Sequence, residues 1–183
     1  MRRGTWIVLI VFLALAGLWF YLNQNEPVAE DVEATPTAVV EYLFDETAGL
    51  PTGIRIEAGT GEQVALERNE AGEWVLIQPV EAEANQGSAE AAASQLMALR
   101  VLSRPEVALA DAGLVEPFYI MTVKLTGGTE AVVRIGDLTP TGSGYYTNIN
   151  GRDDVLIVGQ TGLEALLTLV SSPPYGETST PIE

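Results

Sequence analysis

The sequence contains no cysteine and no histidine. The absence of cysteine excludes disulfides, thiolate metal sites and cysteine nucleophiles, and the absence of histidine removes the commonest general base. Basic residues are also scarce: nine lysines and arginines stand against 25 aspartates and glutamates, so the formal net charge is −16. Such a charge repels phosphate backbones, and we expect no nucleic-acid partner. We also expect no enzyme activity and no cofactor.

Charged residues are absent from one run, which starts at Thr5 and ends at Leu22. As a helix it would span roughly 27 Å, close to the ~30 Å hydrocarbon core of a bilayer. Two arginines precede the run, and acidic residues follow it. The positive-inside rule therefore predicts a single-pass anchor in the cell membrane, with residues 1–4 cytoplasmic and the C-terminal part extracytoplasmic. The alternative is a signal peptide cleaved after Ala16, within the sequence ALAG.

The rest of the chain divides into three parts. Residues 23–37 are polar, acidic and contain two prolines, which is typical of a flexible linker. Residues 38–172 are long enough for one domain with a sizeable core. Residues 173–183 resemble the linker in composition and are predicted to form a disordered tail.

Apolar and polar residues alternate along much of the domain with the period of two that is typical of β-strands. In the first predicted hairpin, pairing the apolar faces sets Ile56 opposite Val64 and leaves a three-residue loop at 59–61. In the second, a three-residue loop at 127–129 sets Leu125 opposite Ala131, with glycine supplying the left-handed position.

The remaining segments predict a mixed fold. Further strands are expected at 38–44, 73–79, 144–150 and 155–158, and segment 73–79 is apolar on both faces, as a central strand would be. A helix is predicted at 88–103, closed by Pro105, and a second helix opens with a capping box from Thr161 to Glu164. Helical spacing predicts one apolar stripe on each helix: Ala89, Ala92, Leu96 and Leu99 on the first, and Leu163, Leu166, Leu167 and Val170 on the second. This order indicates an α+β fold, with a mostly antiparallel sheet built from hairpins and two helices packed on it.

The segment RIGDLTPTGSGYY is the most site-like stretch of the chain. A phosphate-binding P-loop would need a different glycine spacing, a lysine and a following helix, and here a strand follows instead. Asp137 also adds negative charge where a phosphate would lie. The segment is therefore better explained as a connection between two strands, turned by Pro140 and Gly142.

Three aspartates are candidates for a divalent-cation site: Asp137, Asp153 and Asp154. Carboxylate oxygens suit such ions, but the spacing is not that of an EF-hand, and the Asn-Gly pair beside the last two already explains a hairpin turn. Glu81 and Glu83 form another carboxylate pair, although sequence spacing alone does not define a hydrolase site.

Several short motifs occur in the order of a known bacterial family. They are a Trp74-to-Pro79 strand, a helix, the turn DAGLVEP, the loop IGDLTPTGSGYY and the strand DVLIV. The chain resembles the family known as domain of unknown function 4340. The matching residues are Trp74, Pro79, Gly113, Leu114, Pro117, Ile135, Gly136, Thr139, Pro140, Gly142 and Tyr146. An alanine, Ala112, stands where the family usually has an aromatic residue.

The resemblance implies an anchored envelope domain with an accessory role beside ABC-transporter or gliding proteins, and it implies no known reaction. It makes one loop the candidate interaction surface, formed by Gly136, Thr139, Pro140, Gly142 and Tyr146. We therefore expect a non-enzymatic, membrane-anchored domain that binds another envelope protein. A small-ligand or divalent-cation module is the first alternative, and a carboxylate-based hydrolase is the second.

Overall fold

The computed structural model describes Ala16, Trp19, residues 40–150 and residues 152–176. The chain divides into two compact units, Met1–Val39 and Val40–Glu183. The predicted membrane span and linker therefore lie outside the described residues, apart from Ala16 and Trp19. Among the residues that are described, no helix combines the length and the apolar character needed to cross a membrane. Every strand with known bounds belongs to the second unit.

Ten strands form a single antiparallel sheet in the described part of the chain. They are β1 (Glu41–Tyr42), β2 (Pro51–Ala58), β3 (Gln63–Arg68), β4 (Trp74–Gln78), β5 (Ala82–Glu83), β6 (Arg100–Ser103), β7 (Tyr119–Leu125), β8 (Glu130–Leu138), β9 (Gly144–Ile149) and β10 (Leu156–Gly159). Their order across the sheet is β1-β6-β10-β9-β8-β7-β2-β3-β4-β5. Two helices, α1 (Gln86–Met97) and α2 (Gln160–Ser171), complete an α+β fold, as predicted.

Both helices pack on one face of the sheet and enclose the core. Alternate residues of the central strands point into this core, because successive side chains of a strand face opposite sides. The helices supply the apolar stripes predicted from their spacing. The core residues from the two helices are Ala89, Ala92, Ala93, Leu96, Leu163, Leu166 and Leu167.

The first hairpin has the predicted register, with Ile56 opposite Val64. The second is displaced: Leu125 pairs with Thr129 through a 2.8 Å hydrogen bond from its N–H, instead of with Ala131. The loop is therefore 126–128, and Gly127 and Gly128 inside it both have positive φ. The displacement of two residues keeps the same side chains facing the core.

Two helix-boundary predictions were wrong. The first helix ends at Met97, and the next residues form β6, which pairs with β1 and β10. The predicted capping box is not formed, since α2 begins at Gln160 with Gly159 as its N-cap and no side-chain cap. Glu164 instead accepts hydrogen bonds from the Tyr145 hydroxyl and the Gln160 amide. In both segments, contacts with residues distant in sequence outweigh the local sequence preference and set the helix boundary.

The two edges of the sheet also differ from expectation. Strand β4 is not central but lies next to the edge strand β5. The predicted tail begins with an ordered segment, because Tyr175 forms a β-bridge with Ala84 and covers the free side of β5. At the opposite edge, β1 contains only two residues of the seven predicted to form a strand.

Trp74 is the largest buried side chain of the core, with 1% of its surface exposed. Its Nε1–H donates to Glu90 at 2.9 Å, and the Arg68 guanidinium lies 4.4 Å from its ring centroid. Arg68 in turn pairs with Glu90 at 2.5 Å. The Gln86 side chain accepts from the Trp74 N–H and donates to its carbonyl. These contacts hold α1 against β4.

The Trp74 indole and Arg68 lower the pKa of Glu90 below its ordinary value of 4.5. The stability that this carboxylate contributes is therefore present above pH 4.5 and is lost as pH falls through its folded-state pKa. We expect Glu90→Gln to cost less than about 1 kcal/mol at pH 7, because the side chain is largely exposed. Denaturation midpoints between pH 7 and pH 3 should show this deficit shrinking with acidity. Glu81→Gln, at an exposed glutamate, is the control, and a Glu90→Gln deficit that is constant with pH would contradict the linkage.

Candidate functional site

The connection between β6 and β7 crosses the face of the sheet opposite the helices. Tyr145 points toward α2, so its neighbour Tyr146 points to the opposite face. There Tyr146 packs on a small second core made by Ala112, Leu114 and Val155. The DAGLVEP motif of this connection therefore packs directly on the strands that carry the second family motif.

Gly136 lies at the closest approach between these two motifs. The N–H of Asp137 donates to the Ala112 carbonyl at 3.0 Å. A Cβ on Gly136 would lie 2.1 Å from the same carbonyl oxygen, far inside van der Waals contact. Gly113 has φ +68, and a Cβ there would lie 2.9 Å from the Asp137 carboxylate. The glycine in each motif is thus required by the packing of the other.

The turn after β8 is organised by the buried Thr139. Its hydroxyl accepts from the N–H groups of Ser143 and Gly144 at 3.2 and 3.3 Å. Its backbone carbonyl accepts from the N–H of Gly142 at 2.8 Å, with Pro140 at the second turn position. The hydroxyls and N–H groups of this turn therefore satisfy one another, as in a shaped strand connection.

The predicted interaction loop is for the most part turned inward. Gly136 and Thr139 are buried, Gly142 and Tyr146 are partly buried, and Pro140 is exposed. The loop remains a candidate contact surface only at its tip.

The three candidate aspartates are not brought together. Asp137 lies near the start of β9, whereas Asp153 and Asp154 follow its end. A strand of this length separates them by roughly 17 Å. Asp154 is also bound to Arg104 at 3.0 Å. Residues 40–150 and 152–176 contain no cluster of three or more acidic side chains suited to a metal ion.

A groove of about 680 Å³ lies beside β1. We call it the Arg104 groove; its charged lining residues are Glu41, Asp45, Arg104, Arg152 and Asp154. Arg104 binds both Glu41 and Asp154, which raises the pKa of Arg104, chiefly through the hydrogen bond to Glu41. Both carboxylates are therefore ion-paired to the same arginine. Glu81 and Glu83 are both exposed, on either side of Ala82 at the other edge of the sheet.

Two further groups with a shifted pKa also have structural partners. The N–H of Thr47 lowers the pKa of Asp45, which caps a short 3-10 turn, Glu46–Ala48. Burial raises the pKa of Tyr145, with a further contribution from the Glu164 carboxylate. These shifts therefore reflect the packing of secondary structure and identify no acid–base pair.

A second groove, of about 510 Å³, lies between the β2–β3 loop, the start of β7 and the end of α2. We call it the Phe118 groove. Its lining includes the side chains of Pro117, Phe118, Leu167 and Val170. The Phe118 ring is 60% exposed, although its carbonyl is fixed by a 2.8 Å hydrogen bond from the N–H of Gly59. The groove thus presents an exposed aromatic side chain on a fixed backbone.

The sequence reading did not identify Phe118. The signal was present in the segment LVEPF, where apolar residues stand in a connection instead of in a periodic helix or strand. Val115 in this segment is 67% exposed, while Leu114 beside it is buried. Alternation of burial in a connection cannot be read from composition alone, because it depends on which side the sheet covers.

The family model for the domain of unknown function DUF4340 matches residues 74–172, more than half of the 183-residue chain. No curated protein matches the chain, and no solved structure does. The matched region covers β4 to β10 and both helices. Strands β2 and β3 precede it in sequence but lie between β7 and β4 in the sheet, so they are part of the same fold. The chain belongs to the DUF4340 family of domains of unknown function.

Proposed function

We propose that the chain is a non-enzymatic, membrane-anchored domain that lies outside the cytoplasm and binds another protein of the cell envelope. The binding partner is a subunit of an envelope assembly, for which the family resemblance suggests an ABC transporter. The observation that carries the proposal is the Phe118 groove.

Exposed aromatic side chains on a fixed backbone are well suited to protein recognition. Aromatic residues are enriched at the energetic centres of interfaces, because they bury a large area at a small cost in conformational entropy. Phe118 stands beside two further apolar residues of the groove, Pro117 and Val170, so a partner would cover a continuous apolar surface. Small grooves of this kind take one anchor side chain of a partner.

The membrane anchor supports the same proposal from the sequence. The uncharged run from Thr5 to Leu22, preceded by arginines, would hold the domain at the membrane surface at the end of an acidic linker. A tethered domain meets membrane partners at a high effective concentration, so even a modest groove affinity produces a stable complex.

Crosslinking of the tagged full-length chain in its native membranes, followed by purification and mass spectrometry, tests the proposal. We expect envelope proteins to be enriched over tagged residues 1–37 alone. Phe118→Asp should lower this enrichment about tenfold or more, because a charge replaces an apolar anchor in the interface.

Leu50→Asp is the matched control, since Leu50 is 70% exposed and does not line the Phe118 groove. It should leave the enrichment unchanged. Equal retention of the partner by Phe118→Asp and the unmodified chain would contradict the assignment of the groove. Absence of any enriched protein would contradict the binding function itself.

A further inference from the structure

We propose that the Phe118 groove binds a positively charged segment of the partner, in which an apolar anchor residue is flanked by lysine or arginine. This inference rests on the proposed function and adds the chemistry of the partner. Three features of the groove lead to it: the charges on its rim, the helix end that borders it and the shape of its apolar floor.

The rim of the groove is acidic. Glu62 lies on the β2–β3 side and Glu116 lies beside Phe118, and both are exposed. The lining contains no lysine or arginine. The Arg104 groove differs in this respect, because two arginines line it together with its carboxylates. The negative charge of the Phe118 groove is therefore not compensated by basic residues of its lining, unlike that of the Arg104 groove. The net charge of the whole chain, −16, has the same sign.

The C-terminal end of α2 adds to this field. Val170 and Ser171, the last residues of the helix, line the groove. The last turn contains no basic residue that would compensate the negative end of the helix dipole. A cation of the partner placed there would interact with the dipole and with the carboxylates of the rim.

The floor of the groove is apolar and partly open. Leu167 and Val170 of α2 line it together with Phe118, and Phe118 is the most exposed of the three. An aliphatic or aromatic side chain of the partner can pack on these residues, near the two carboxylates of the rim. The arrangement of an apolar floor within an acidic rim complements an apolar residue with basic neighbours, and it disfavours acidic segments and nucleic acid.

Photo-crosslinking from position 118 tests the inference. The full-length chain carries a photo-reactive phenylalanine analogue in place of Phe118 and is irradiated in native membranes, and the crosslinked peptide is sequenced. We expect a peptide with a net positive charge within a few residues of the crosslink. The yield should fall as salt is raised from 50 to 500 mM, because the rim carboxylates are exposed and screened.

A charge-reversed variant provides the second measurement. Glu62→Lys combined with Glu116→Lys should lower the crosslink yield about tenfold. Glu81→Lys combined with Glu106→Lys changes the net charge equally but lies away from the groove, and should leave the yield unchanged.

The outcomes separate this inference from the proposed function. If chemical crosslinking enriches a partner but position 118 captures an acidic or neutral segment, or none, the inference is wrong and the binding function stands. An equal loss of yield in both charge-reversed variants would also overturn it, since only net charge would then matter. If no partner is enriched by either method, both proposals fail.

Discussion

Replacing Gly136 with alanine is expected to lower the free energy of unfolding by about 3 kcal/mol. The added Cβ would lie 2.1 Å from the Ala112 carbonyl oxygen and 2.9 Å from the Gly113 backbone. Both neighbours are backbone atoms, so no flexible side chain can move aside. The connection must then lift from β8, which breaks the Asp137 N–H bond to Ala112 and opens the second core around Leu114. Thermal unfolding should show a midpoint lower by roughly 10 °C.

Gly87→Ala is the matched control for this substitution. Gly87 lies in the first turn of α1, and a Cβ there would meet only the Asn85 side chain, at an ordinary 3.5 Å. Alanine also has the higher helix propensity, so this variant should be as stable as the parent or slightly more stable. Equal midpoints for Gly136→Ala and the parent would mean that the two family motifs do not pack as the structure places them.

The sequence predicted the elements whose signals are local. The first hairpin register follows from alternation across a short glycine loop, and the core stripes of both helices follow from their periodicity. The α+β class follows from the same patterns. These features need no knowledge of distant residues, because each is specified by neighbours in the chain.

The wrong predictions concern element boundaries and strand registers that depend on residues distant in sequence. The segment Arg100–Ser103 continues an apolar helical pattern, yet it forms a strand because β10 and β1 offer it backbone partners. The second hairpin shows the same limit, because the two glycines of positive φ fit the predicted loop 127–129 and the observed loop 126–128 equally well and so did not fix the register. The first helix therefore ended early because distant strands pair with its last predicted residues.

The candidate loop shows the same limit. Its threonine, glycines and tyrosine form a regular motif, and motif residues suggest a binding surface. The structure assigns them internal tasks: Gly136 permits a close approach, Thr139 organises the turn and Tyr146 packs on the second core. Phe118 carries no such motif and is exposed. The residues of a sequence motif can thus be required for packing, while an interaction surface can consist of residues that belong to no motif.

Trp74→Ala is expected to lower the free energy of unfolding by about 3 to 5 kcal/mol, the usual cost of removing a large core aromatic. The side chain is 1% exposed, and its loss leaves a cavity beneath α1 and removes the contacts of the ring with Arg68 and Glu90. Because domains of this size have total stabilities of roughly 5 to 15 kcal/mol, a shift of the denaturation midpoint should be large. Trp74→Phe should recover more than half of the loss, since it fills most of the cavity but lacks the Nε1–H donor.

Phe118→Ala is the control for Trp74→Ala, and both its stability and its partner binding are measured. It removes an aromatic ring as Trp74→Ala does, but from a side chain that is 60% exposed, so the free energy of unfolding should change by no more than about 0.5 kcal/mol. The same variant should lose partner crosslinking, whereas Trp74→Phe should retain it as long as it stays folded. Should Phe118→Ala prove as destabilising as Trp74→Ala, the ring would belong to the core, and the groove would lose its anchor. If Phe118→Ala instead keeps the stability of the parent and loses the partner, binding is located at the Phe118 groove. Trp74 would then be required for folding, and Phe118 for recognition of the partner.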